Sequence, residues 1–279
     1  VPGGLPPGAW RALPALTKPA HRKTEHRTLE ILHAILVGLV LFLAAAAQSA
    51  VGFGYALFAT PLLVLVGLPL PRIIVLVATC SMAQSAIGAR RLRASVPWRP
   101  ALIAAVVRLA CVGIGVLLLR RLAAASADTV RLTVGAVLCA LVGIQLVCRP
   151  RPAKVRHWPL AGAAFAASGL LSGFCGMGGP PLVLWAMTQE WSAKTTRGFL
   201  FAVFAVSLPG QILLFSLVFG SAILWNAAIG LALLPLVYLG AAIGLPLGNR
   251  MGRERLRRVA YLILFLIGLS AVVSALFPH

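Results

Sequence analysis

Arg108 stands near the middle of ALIAAVVRLACVGIGVLLL, residues 101–119, with no other charge in the run. A cation deep in so apolar a segment is costly, and such residues face a cavity and mark a solute path. The solute that a cation favours is an anion. Two structural readings compete. The guanidinium bonds backbone carbonyls of a neighbouring segment, or the segment shifts and the side chain snorkels to an interface. Two glycine clusters accompany it. GFG fills 52–54 and GFCGMGGPP fills 173–181. Gly52 and Gly54 match Gly176 and Gly178 at one constant spacing. Glycine and proline break helices, and a broken helix frees N–H groups at the start of the next piece. Those groups and the helix dipole favour an anion. Glycine also lets a solute approach the backbone, and Pro180 and Pro181 suit a first helical turn. The alternative is close helix packing through small residues, the role that fits the scattered Gly113, Gly115, Gly240 and Gly244.

Polar side chains near the breaks extend the candidate set. Gln48 and Ser49 precede the first break, and Ser168 and Ser172 precede the second. Thr79, Ser81, Gln84 and Ser85 lie in the third apolar piece, and Ser207 and Gln211 in the eighth. Serine and glutamine donate hydrogen bonds to anion oxygens. Most of these pair helices, but Gln48, Gln84 and Gln211 rank first because a buried amide must find several partners. The candidate binding set is therefore Gln48, Ser49, Gly52, Gly54, Gln84, Arg108, Gly176, Gly178, Gly179 and Gln211. Arg72 and Arg197 open matched pieces. They read as steering or gating charges on opposite faces, or as ordinary interfacial arginines.

The elements that must position these residues are helices in a membrane. The chain has 279 residues, 60% of them hydrophobic, with mean hydropathy +0.97. A soluble domain is about half apolar. Ten apolar pieces are expected at 29–50, 54–68, 72–89, 98–119, 129–148, 158–175, 179–188, 197–219, 225–248 and 256–276. Most are long enough for a bilayer's hydrocarbon core. The second and seventh are short, and whether they cross fully stays open. A β-barrel would show alternating ten-residue segments. The expected fold is an all-α polytopic membrane protein with two repeats of about five pieces each, the second inverted. Residues 1–28 are expected to be a disordered basic tail, 29–148 the first repeat, 149–157 a cytoplasmic basic linker and 158–279 the second repeat.

Twenty-five Lys and Arg against five Asp and Glu give a net charge of +20. In a soluble chain this would suggest nucleic acid. Here the basic residues gather in the short loops 90–99, 149–156 and 250–258, the pattern of cytoplasmic loops. No nucleic-acid partner is expected; the partners are a small anionic solute and membrane lipid. The side of the N-terminus depends on whether both early pieces cross. Trp98, Trp158 and Trp225 each open a segment, as interfacial anchors do.

The absences narrow the chemistry. Glu25, Glu30, Asp128, Glu190 and Glu254 lie in the tail, at segment ends or in loops. Cation transport and carboxylate proton relays usually need an acid in the membrane. No histidine lies deep, so a metal-dependent or Ser–His enzyme lacks its parts. No catalytic residue, metal or cofactor is expected. The five cysteines form no CxxC pair and read as small packing residues.

Paired Gly/Pro breaks at corresponding places in two halves are a signature of secondary transporters. The blocks AVGFGYALFATPLLVLVG and GLLSGFCGMGGPPLVL, with TTRGFLFAVF, resemble the TauE/SafE family of sulfite-exporter-like membrane proteins over about residues 30–276. The resemblance implies movement of small anions, often sulfite, organosulfonates and related sulfur compounds, across the cell inner membrane. The first copy departs from the fuller glycine pattern: Tyr55 stands where the second copy has Gly179. A non-transporting membrane scaffold and a transporter of another solute remain the alternatives.

Overall fold

The computed structural model describes residues 20–51, 54–124, 126–147, 158–250 and 253–276. These residues form eleven α-helices with two short 3-10 turns between them. The chain divides into two compact units, Val1–Leu36 and Val37–His279. The described part of the first unit is the start of helix α1 (Ala20–Val51), with Ile31, Leu32 and Ile35 exposed. The helix thus begins inside the stretch expected to be an unstructured tail. Residues 1–19 of that tail lie outside the described residues, as does the linker from 149 to 157.

The second unit is the bundle. After α1 come α2 (Tyr55–Leu65), α3 (Leu70–Arg91), α4 (Trp98–Ala123), α5 (Ala127–Val147), α6 (Trp158–Cys175), α7 (Gly179–Met187) and α8 (Ala193–Phe219). Then follow α9 (Leu224–Ala232), α10 (Leu234–Arg250) and α11 (Arg253–Leu276). Among the described residues six helices are long and apolar enough to cross a membrane, and the count is seven if one bent pair is taken as a single span. The chain is an all-helical, multi-pass membrane protein. Val106, Leu213 and Leu217 point outward and exposed, as side chains do where lipid is the solvent. Trp98, Trp158 and Trp225 are likewise exposed at the starts of their helices.

The two short pieces are short in the structure. At 1.5 Å per residue, α2 spans about 16 Å and α7 about 13 Å, each roughly half of a bilayer's hydrocarbon core. One expectation is corrected. The piece 225–248 is two helices, α9 and α10, bent by 47° at Leu233. Pro235 explains the break: it has no N–H to give to the Leu231 carbonyl, and its ring collides with that carbonyl in a continuous helix.

Small residues set the helix pairing. A Cβ on Gly115, Gly169 or Gly173 would run into backbone of the facing helix where α4 crosses α6. A Cβ on Gly240 or Gly244 of α10 would run into the Phe42 and Ala46 carbonyls of α1. Three of the four glycines read as packing residues do pack; Gly113 faces open space. Helix α8 lies against α3 and α4, α3 also holds α9, and α5 pairs with α11. The start of α8 meets the end of α3, for Gly88 faces the Phe201 ring. At the other end of α3, Ile74 meets Gly176. The two breaks and Arg108 are thereby drawn around one space.

Candidate functional site

The first break joins α1 to α2. Gly54 caps α2 with φ +98°, a left-handed conformation open to glycine at little cost. No side chain caps α2. Its first N–H groups, on Tyr55, Ala56 and Leu57, therefore have no helical carbonyl to bond. The second break joins α6 to α7. Gly176, at φ +77°, ends α6, its N–H bonding the Ser172 carbonyl at 3.1 Å. This is a left-handed C-terminal cap. Gly178 then lies against α6, where Ser168 Oγ donates to its carbonyl at 2.5 Å. Pro180 and Pro181 follow and carry no N–H. The expectation that freed N–H groups at both breaks favour an anion therefore needs correction. The start of α7 is poor in donors, whereas the start of α2 keeps all of its own.

Between the breaks lies a cavity of about 90 Å³. Gln48 of α1, Gly54 to Leu57 of α2, and Gly176 to Pro180 at the second break line it. So do Ser81 and Ser85 of α3, Arg108 of α4, Ser172 of α6, and Arg197, Phe201, Phe204 and Gln211 of α8. A Cβ on Gly179 would meet nothing within 4 Å, so this lining residue presents bare backbone.

Arg108 is the electrostatic centre. It is only 1% exposed. Nη1 donates to Ser207 Oγ. Nη2 donates to Ser172 Oγ at 2.5 Å and to Gln211 Oε1 at 3.2 Å. Each partner is itself fixed. Ser207 Oγ donates to the Val203 carbonyl at 2.7 Å. Ser172 Oγ donates to Gln211 Oε1 at 2.8 Å, and Gln211 Nε2 donates to the Ser172 carbonyl at 3.2 Å. The Phe204 ring lies 5.2 Å from Arg108 Cζ, within cation–π range. Every one of these partners is neutral. Among the described residues no carboxylate pairs with Arg108; the ion pair there is Arg131 with Asp128, at 3.4 Å on α5.

A buried charge without a counter-charge is the expensive case. Three of the five guanidinium N–H donors are engaged by the three bonds above, and Nε is buried with no partner among the described residues. The arrangement is a fixed cation with donors to spare, facing a cavity. It suits a small anion.

The structure brings together Gln48, Gly54, Arg108, Gly176, Gly178, Gly179 and Gln211 of the candidate set, along with Arg197. Ser49, Gln84 and Arg72 do not line the cavity. Arg72 is exposed at the start of α3, and Gln84 Nε2 is buried without a partner. Gly52 lies outside the described residues. Ser172 and Ser207 ranked below the glutamines as candidates, yet they bind the guanidinium directly. Phe201 and Phe204 also line the cavity, and nothing in FLFAVF distinguishes a cavity-lining phenylalanine from a lipid-facing one.

Residues 37–271 match the family model described as Sulfite exporter TauE/SafE. The chain is 30% identical over 250 residues to a protein of Cupriavidus necator named "Probable sulfite/organosulfonate exporter TauE", covering 86% of this chain and 95% of that protein. No solved structure gives a significant match. The chain belongs to the TauE/SafE family.

Proposed function

We propose that this member of the TauE/SafE family is a secondary transporter that exports small sulfur anions, sulfite or organosulfonates, across the bacterial inner membrane. The observation that carries the reading is Arg108: a buried guanidinium with neutral partners, spare donors and a cavity in front of it. The anion sits between Arg108 and the uncapped N–H groups that begin α2. Charge on one side and oriented backbone donors on the other replace the water that the anion leaves behind. The relative from Cupriavidus necator, named for sulfite and organosulfonate, supports the choice of anion.

The passage is elongated. Along α8 the lining residues run from Arg197 to Gln211, about 21 Å at 1.5 Å per residue. The Arg197 end lies beside loop 90–99, since Gly198 faces Val96. That loop carries Arg90, Arg91, Arg93 and Arg99, a charge that supports a cytoplasmic position for this end by the positive-inside rule. Arg197 there gathers anions for export. Arg72, exposed and off the cavity, serves as an interfacial charge on the opposite side.

We further propose that the two halves are inverted copies. Both halves carry a glycine break followed by a short helix. Their packing supports the exchange, with α4 on α6 and α8 while α10 lies on α1 and α9 on α3. Two such halves rocking about a central site give alternating access. The test is sulfite flux in proteoliposomes for the wild type beside Arg108→Ala and Arg108→Lys. Arg108→Ala is expected to lose at least tenfold. Arg108→Lys keeps charge but loses the planar fork, and is expected to fall between. Equal flux in all three would remove Arg108 from the path.

A further inference from the structure

The end of α6 has the opposite polarity to the start of α2. A helix C-terminus carries partial negative charge on its last carbonyls. The Ser172 carbonyl takes the Gly176 N–H, but those of Gly173, Phe174 and Cys175 receive no backbone N–H among the described residues. Thr60 of α2 stands against this end. It is fully buried, and its hydroxyl lies 3.4 Å from where a Cβ of Gly176 would be. Buried helix hydroxyls can bond back to the carbonyl four residues earlier, as Thr79 and Ser207 do here. Thr60 Oγ1 makes no such bond and has no partner among the described residues. The next residue, Pro61, lies inside α2 and has no N–H to give to the Leu57 carbonyl. Leu57 and Thr60 are three apart and share a face of the helix. Leu57, Ile74 and Gly176 all line the cavity.

Buried polar groups without partners cost free energy. Carbonyls can only accept, so these oxygens call for a positive partner. Half-helix C-terminal ends and freed backbone carbonyls are where transporters with broken helices hold a cation. The oxygens here are hard and neutral. They suit a monovalent alkali ion better than a divalent one, which would want carboxylates. No metal-holding group of acidic, His or Cys side chains stands among the described residues. The quarters are close, since a Cβ on Gly176 would come within 3.1 Å of Ile74 Cγ1. Close quarters favour sodium over potassium.

We infer that Thr60 Oγ1, the Leu57 carbonyl and the last carbonyls of α6 form a sodium site beside the cavity. The site stands on these oxygens and not on the identity of the transported anion. Arg108 is bonded to Ser172, one turn before Gly176. Its charge opposes a second cation until an anion neutralises it, so sulfite is expected to tighten sodium binding.

The experiment follows thermal unfolding of the purified protein in sodium-free detergent buffer. Sodium, potassium or choline chloride is added at equal ionic strength, with and without sulfite. An ion that binds only the folded state raises the midpoint. Sodium is expected to raise it saturably over choline, by about 2–4 °C. Thr60→Val keeps the shape, loses the hydroxyl, and is expected to need at least about tenfold more sodium for the same shift. Thr60→Ser keeps the hydroxyl and is expected to keep the shift. Each shift is read within one preparation against its own choline control, so a change in basal stability does not enter. Equal midpoints in sodium and choline, with sulfite and without, overturn the site; a buried water in place of the ion would give this result. A sodium shift that Thr60→Val retains in full, or a larger response to potassium, also overturns it. A sodium shift lost in Thr60→Val supports the site even if no sulfite flux is found, in which case the anion reading fails alone.

Discussion

Arg108 was legible from sequence because a single charge in nineteen apolar residues has few innocent explanations. Its surroundings were legible only in part. Gln211 and the serines could be named as polar residues in apolar helices, but helix phase decides which of them face one another. Gln84 and Ser85 are neighbours in sequence and lie on different faces, so that Ser85 lines the cavity and Gln84 does not. The glycines separate in the same way. Gly54 holds φ +98°, so Gly54→Ala is expected to cost about 1–2 kcal/mol. Thermal unfolding in detergent would register this as a lower midpoint. Gly179 has no such strain and no neighbour for a methyl group. Gly179→Ala should change stability by no more than roughly 0.5 kcal/mol while its methyl group narrows the cavity and reduces flux.

At the scale of elements, apolar length and breaking residues predicted nearly every helix. The short α2 and α7 follow from their glycine and proline boundaries. The sequence misled at 225–248, where an unbroken apolar run hides a helix start at Leu234 and Pro235. Apolar composition does not report a bend, and Pro235 was the signal that could have. The α4–α6 contact is the element on which the site depends, because Arg108 reaches Ser172 only while these helices stay close. A Cβ on Gly169 would strike the Arg108 carbonyl and lie 2.9 Å from Cys111 Cβ. Gly169→Ala is therefore expected to destabilise by about 1–3 kcal/mol and to reduce flux by displacing α4. Gly113→Ala on the same helix α4 meets open space and should change neither. Unfolding midpoints and flux for the pair would separate crowding at this contact from a general effect of losing glycine.

For the whole molecule, composition alone established a multi-pass helical membrane protein. The pairing of helices across the bundle could not be read, since apolar faces look alike to a hydropathy pattern. The basic loops do supply a testable orientation. On the proposed orientation loop 90–99 lies in the cytoplasm and the uncharged turn at 220–224 outside. In a background with the native cysteines replaced, Ala222→Cys should react with a membrane-impermeant maleimide in intact cells. Ala94→Cys should react only after lysis. The opposite pattern would reverse the direction in which Arg197 gathers anions.

The central claim is that an anion crosses this bundle by way of Arg108, and flux of radiolabelled sulfite in proteoliposomes tests it most directly. Wild-type protein and Arg108→Ala would be compared at matched, monodisperse loading. The account predicts saturable wild-type flux and at least a tenfold loss in the variant. Equal flux from both, or none from the wild type, would contradict it.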